Sequence, residues 1–168
     1  SQARAGFSPD AKFGQRSLEL TVPAGPKADW LGWNSQPIPV KPGATYLLSG
    51  WIKGVGLKSS ATIHAHFHEA KGALCQSGAM AGTGPGVSGD SEWVNTTGLL
   101  AAPPDAAAIV LHLTMNTSGT LRHDGILFCE VMEGQVEHVL SAAGSAPPLN
   151  QPLHVWEVNP LVKVFPDT

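Results

Sequence analysis

The chain has 168 residues, of which only 14% are charged, and 10 Lys and Arg against 13 Asp and Glu give a net charge of −3. That balance excludes the basic footprint of a nucleic-acid binder, and no apolar stretch approaches the ~18 residues of a membrane-spanning helix. The hydrophobic share is an ordinary 42%, punctuated by Gly (19) and Pro (14), and the length suits one domain with a tail.

Helical periodicity is nearly absent. Short alternating runs separated by turn residues point to an all-β chain. Ser17 to Val22 alternates cleanly and stops at Pro23-Ala24-Gly25-Pro26. Trp30 to Val40 follows, interrupted by Pro37 and Pro39, which cannot donate to a ladder. After the Lys41-Pro42-Gly43 turn, Thr45 to Lys53 is a strong strand, and Ala61 to His68 is the next. Ser77 to Ser91 is a Gly-rich loop without a core pattern. Trp93 to Leu100, Ala107 to Asn116 and Leu121 to Val131 complete seven or eight short strands, the pattern of a sandwich or jelly roll. Ser141 to Pro152 has linker composition, and Leu153 to Phe165 is apolar again. Two cysteines, Cys75 and Cys129, are too few for a disulfide scaffold and leave a single bond open. No leader is visible at Ser1, so the chain reads as a processed or internal piece.

The order of these segments resembles that of the jelly-roll carbohydrate-binding modules attached to xylanases, glucanases and other polysaccharide-degrading enzymes. The residues that carry the resemblance are Gly14 to Leu20, Ile38 to Lys53, Phe67 to Gly72, Glu92-Trp93, Pro104-Asp105-Ala106, and Ser118-Gly119-Thr120 leading to Asp124-Gly125-Ile126. The most specific stretch is Val40-x-Pro42-Gly43-x-x-Tyr46-x-Leu48-Ser49-x-Trp51-x-Lys53. The resemblance implies a secreted (extracellular or periplasmic) module with a catalytic domain in the same chain and, in some members, a structural calcium. Two departures bear on that calcium. No Asn-Gly-x-Phe-Glu strand opens the chain, and Gly125 follows Asp124 where paired aspartates are usual, which leaves Asp124 with backbone carbonyls as the metal candidate.

Strand alternation sorts the side chains independently of any resemblance. Tyr46, Leu48, Gly50 and Ile52 share one face, with Leu47, Ser49, Trp51 and Lys53 opposite. Ile63, Ala65 and Phe67 form a core face, with His64, His66 and His68 opposite. Ile109, Leu111, Leu113 and Met115 are the apolar set of their strand, with Val110, His112, Thr114 and Asn116 behind them. Each outer face thus offers Ser, Trp, His, Thr and Asn. Sugars need that mixture, an aromatic plate for the C–H face of a pyranose and neutral partners for hydroxyls. The expected ligand residues are Trp33, at the rim beside Asn34 and Gln36, together with Trp51, Lys53, His64, His66, His112, Asn116 and Arg122. If the strands share a sheet, they form one platform.

A rival chemistry rests on the histidines. His at i and i+2 project ~7 Å apart on one strand face, which suits two ligands of one zinc with His112 as the third. Such a cupin-like metal-dependent enzyme is the first alternative, and a purely structural accessory sandwich is the second. No Gly-x-Ser-x-Gly elbow, phosphate loop or paired glycosidase carboxylates are present. The expectation is an all-β antiparallel sandwich (jelly roll, galactose-binding-like) over residues 1–135. A linker and the first strand of a following domain then occupy 136–168. The expected function is non-catalytic binding of an oligo- or polysaccharide.

Overall fold

The computed structural model describes residues 2–25, 30–132, 134–137, 140 and 144, and the sheet positions of 156–158 and 163–164; most of the expected linker, 141–152, lies outside the described residues. The strands are β1 (Arg4–Ser8), β2 (Ser17–Val22), β3 (Leu31–Ser35), β4 (Ile38–Pro39), β5 (Thr45–Val55), β6 (Leu57–Ala61) and β7 (His64–His68). They continue with β8 (Met80–Gly82), β9 (Val87–Gly89), β10 (Val94–Ala101), β11 (Ala108–Met115), β12 (Gly119–Val131), β13 (Trp156–Val158) and β14 (Lys163–Val164).

They build two large sheets and a small one. The first sheet runs β10-β5-β12-β2-β1-β14 and the second β13-β3-β11-β7-β8, with β4 also on β11; β6 and β9 pair by themselves. All pairings are antiparallel except β1 with β14. The fold is therefore the expected all-β sandwich. The two short strands beyond 155 extend one edge of each sheet, β13 along β3 and β14 along β1.

The core lies between the sheets and is made by the inward parity of each strand. Leu20, Leu48, Ile52 and Leu121 from the first sheet meet Ile63, Phe67, Ile109, Leu111 and Leu113 from the second, all at 2% exposure or less. Each such side chain contributes roughly 1.5–3 kcal/mol by leaving water. At the centre a Cβ on Gly50 would stand 2.6 Å from Ile63 Cδ1 across the core and 2.6 Å from Ile126 Cδ1 on the neighbouring β12. Tyr46 stacks on Phe128, ring centroids 5.0 Å apart, and its hydroxyl accepts the Lys41 amide at 2.7 Å. Gly32 has φ +145° and lets β3 press against the Leu113–Thr114 backbone of β11.

One packed group breaks the usual rule for core polarity. His123 points inward, is 1% exposed, and neither ring nitrogen has a partner among the described residues. Burial pushes its pKa down to about 3, so it sits in the core as a neutral imidazole. Cys75 and Cys129 are both free thiols. Cys75 follows β7 of the second sheet, whereas Cys129 stands on β12 of the first, paired with Leu47.

Candidate functional site: two outer faces

The expected outer residues do face outward, but on opposite sides of the molecule. β5 belongs to the first sheet, whereas β7 and β11 belong to the second. The chain crosses between them through β6, so Trp51 and the histidine row lie back to back with the core between. The single platform expected from the sequence is two faces.

On the first face, Trp51 stands in mid-sheet, opposite Asn95 on β10 and Asp124 on β12. The β1–β2 loop folds over it. Phe13 meets the indole edge-on at 6.1 Å, and Lys12 Nζ lies 4.0 Å from the ring centroid. Asp124 anchors that loop, its Oδ2 accepting the amides of Lys12 (2.7 Å) and Phe13 (2.8 Å) and its Oδ1 that of Gly125 (2.7 Å). Gly125 makes the bulge that shifts the β12–β5 register; its φ is +57°, and an added Cβ would stand 2.8 Å from the Phe13 ring and 3.3 Å from Trp51 Cδ1.

Beside Trp51 runs a neutral row. Asn95 Nδ2 donates to Ser49 Oγ and the Gly50 carbonyl, both at 3.2 Å, and Thr97 Oγ1 donates to Asn95 Oδ1 at 2.9 Å. On the other side runs an ionic row. Arg122 holds Glu19 at 2.7 Å and Asp10 at 3.0 Å, and Lys53 reaches the same Asp10 oxygen at 3.0 Å. Trp93 Nε1 donates to the other Asp10 oxygen at 3.2 Å. The Lys53 hydrogen bond, then Trp93 and the nearby Arg122 charge, hold the Asp10 carboxyl below its ordinary pKa, against a smaller burial effect. At the far end Leu47 and Val131 are buried with Leu127, Cys129 and Val136, so the segment after β12 closes that side.

The second face is built differently. β3, β4, β7, β8 and β11 contain no Asp, Glu, Lys or Arg. His64, His66 and His68 project from β7, and His112 on β11 pairs with His64. The His66 and His112 rings lie 4.4 Å apart, and His112 Nδ1 bonds Asn34 Oδ1 at 2.7 Å. Trp30, 52% exposed, stands edge-on to His64 at 4.9 Å. Burial, then the neighbouring histidines, lowers the pKa of His64, His66 and His112, the last to about 4.

Two expected residues lie elsewhere. Trp33, placed at the rim by its polar neighbours, is a core residue at 6% exposure, tilted against Phe7 at 6.2 Å. It shares inward parity with Leu31 and Ser35, and its backbone pairs with that of Leu113. Asn116 is exposed just past the end of β11. Trp30 and Asn34 were the missed members of the second face; both have the parity of Gly32, opposite to Trp33, and that parity was readable.

No family model matches the chain, and no curated protein matches it. Among solved structures, it is similar to the CBM22-1 xylan-binding domain from Paenibacillus barcinonensis Xyn10C, at 16% identity and TM-score 0.58 over 79% of this chain and 83% of that one. It is similar to the C-terminal family 22 carbohydrate-binding module of Clostridium thermocellum Xyn10B, at 18% identity and TM-score 0.55 over 79% and 86%. The chain has the fold of these carbohydrate-binding modules. It also matches the enzymatically active domain of bacteriophage CBA120 tailspike protein 4, at 14% identity and TM-score 0.56, but spans only 19% of that chain.

In this carbohydrate-binding-module fold the structural calcium implied by the sequence resemblance does not fit Asp124. A hard cation needs free oxygen lone pairs, and three backbone N–H groups already converge on that carboxylate. Zinc does not fit the histidines either. Two imidazoles on one tetrahedral zinc hold their centroids roughly 5 Å apart, whereas the tilted His66 and His112 rings lie 4.4 Å apart. Among the described residues, no group of three His, Cys, Asp or Glu is placed to hold a metal ion.

Proposed function

We propose that the chain is a non-catalytic glycan-binding module and that the Trp51 face takes the sugar. The observation that carries this is Trp51 itself, an outward indole in mid-sheet with a neutral hydrogen-bonding row on one side and an amphoteric ionic row on the other. A pyranose ring lays its C–H face on the indole, where the stacking is dispersive and needs no charge. Lys12 lies over that ring on a flexible stem, and an exposed cation–π contact contributes only about 0.5–1 kcal/mol, so a sugar can displace it. Asn95, Lys53, Arg122 and Asp10 then supply donors and acceptors to the hydroxyls.

The non-catalytic reading is supported by how the carboxyls of this face are engaged. Glycoside hydrolysis needs one carboxyl kept protonated as general acid. Asp10 and Glu19 are engaged by cations and Asp124 by amides. Fold relatives described as xylan-binding make a β-linked plant polysaccharide the first ligand to try. We extend the reading to a secreted protein in which this module holds a catalytic domain near its substrate, a gain in effective concentration.

Isothermal titration with xylohexaose and soluble xylan tests the face. Trp51→Ala is expected to weaken binding at least about 10-fold while the thermal midpoint stays within a few degrees. Unchanged affinity in that variant removes Trp51 as the stacking ring. Lack of binding to any glycan would leave a structural sandwich.

A further inference from the structure

We propose that the β1–β2 loop is an autoinhibitory strap. In the free protein Phe13 and Lys12 occupy the Trp51 ring, Asp124 latches them there, and a glycan gains the ring only as the strap lifts. The inference rests on the reading of Trp51 as the stacking ring and adds how that site is regulated.

The first observation is the state of the indole. Trp51 Nε1 is buried and has no hydrogen-bond partner among the described residues. An indole N–H is a donor only, and buried donors are satisfied in the great majority of cases. The orphaned edge can be located. Cδ1, the carbon bonded to Nε1, would stand 3.3 Å from a Cβ on Gly125, and the same Cβ would stand 2.8 Å from the Phe13 ring. Phe13 and the Gly125 bulge therefore meet at the pyrrole edge of the indole. A phenyl ring offers that N–H no oxygen or nitrogen, whereas a sugar hydroxyl or ring oxygen does. A ring whose polar edge is shut in without a partner is what a cover leaves behind.

The second observation is how the loop is attached. Residues 9–16 belong to no strand. The base of the loop is pinned several times over. Ser8 pairs with Ser17, Ser17 Oγ donates to the Asp10 carbonyl at 2.7 Å, and the Asp10 carboxylate holds Lys53, Arg122 and Trp93. The tip is held otherwise, by the Lys12 and Phe13 amides on Asp124 Oδ2 and by the two ring contacts to Trp51. Gly14 follows at once, with φ +65° and open space around its Cβ position. The tip can thus swing between Asp10 and Gly14 without breaking a ladder hydrogen bond.

The third observation is what the tip covers. Lys12 Nζ lies 4.0 Å from the centroid of the Trp51 ring, in the place where the C–H face of a pyranose would rest. Strap and sugar cannot hold the ring together. The apparent dissociation constant is then the intrinsic one divided by the fraction of molecules with the strap open, so every contact that closes the strap weakens the glycan. Asp124 acts here as a positioning residue, through the loop rather than on the sugar.

Hydrogen exchange and stopped-flow binding test the strap, with xylohexaose, cellohexaose and mannohexaose as probes of wild type, Phe13→Ala, Asp124→Ala and Trp51→Ala. A loop that belongs to the bound site gains protection when glycan is added. The strap gives the opposite result, in which saturating glycan speeds exchange at the Lys12 and Phe13 amides about tenfold or more. Phe13→Ala and Asp124→Ala each tighten binding of the same probe about tenfold, by faster association with dissociation nearly unchanged. Binding seen only in the two opened variants is the same result at its extreme. Glycan that slows exchange at those amides overturns the strap, as does affinity unchanged or weakened in the opened variants. Where the two variants disagree, Phe13→Ala decides, since it leaves the Gly125 bulge and the Asp124 acceptor in place. If binding is still lost in Trp51→Ala, the stacking reading survives that failure. Binding that persists in Trp51→Ala, or no binding by wild type or either opened variant, overturns the stacking reading and the strap with it.

Discussion

The two outer faces obey the same alternation and dispose of their polarity in opposite ways. The first pairs its charges internally, Arg122 with Glu19 and Asp10, Lys53 with Asp10, and spends Asp124 on a loop that covers Trp51. Strands β3, β4, β7, β8 and β11 of the second bring no charge to pair, and among the described residues His112 Nε2 there has no hydrogen-bond partner, with Trp30 half in water. A sheet needs only that its inner face be apolar. What stands on the outer face is free to be a closed ionic network or an open neutral one, and this chain has one of each.

The largest expected effect comes from breaking the first face alone. Gly125→Ala forces a side chain onto a left-handed φ and against Phe13, and should cost about 1–3 kcal/mol in urea denaturation. The His64 and His66 ring signals should stay in place; if they move, the faces are coupled. Asp124→Ala removes the acceptor of three amides and should cost about 1–3 kcal/mol locally. Hydrogen exchange at the Lys12 and Phe13 amides should rise about tenfold or more, and added calcium should leave the wild-type thermal midpoint where it is.

The layer between the faces has its own signature. His123 is neutral when folded, with a pKa near 3, and titrates near 6.5 when unfolded. The unfolded chain therefore binds more protons below pH 6.5. This contribution is full above that pH and is lost as pH falls toward 3, by up to about 1.4 kcal/mol per pH unit. His123→Leu should flatten that slope between pH 6 and pH 4, and an unchanged slope would place the acid sensitivity in the outer histidines. The smallest effect is expected of Lys12→Ala, which uncovers the Trp51 ring and should tighten glycan binding by no more than about fivefold.

Strand parity was legible throughout. Thr45 to Lys53 put Trp51 outside and Ile52 inside, and the His-x-His-x-His run put three rings on one face, because both depend only on the two-residue period. Sheet membership was not legible, because it depends on which distant strand closes each ladder. Leu57–Ala61 carries the chain across the sandwich and pairs with Val87–Gly89 inside what read as a structureless loop. β1 escaped notice because Ala3 and Ala5 fill the core edge without a large apolar signal. Trp33 was misplaced by its polar neighbours although Leu31, Trp33 and Ser35 alternate inward. The Asp124 clamp joins residues more than 110 positions apart, beyond any local pattern.

The charge-free strands of the second sheet have a consequence for how the protein responds to its medium. Salt screens interactions between fixed charges over a Debye length of about 8 Å at physiological ionic strength. Any contact made through Asp10, Glu19, Lys53 and Arg122 is therefore tuned by the salinity around it, while β3, β4, β7, β8 and β11 of the opposite side bring no fixed charge for salt to screen. Ionic strength thus becomes a dial that turns one side of the molecule and not the other.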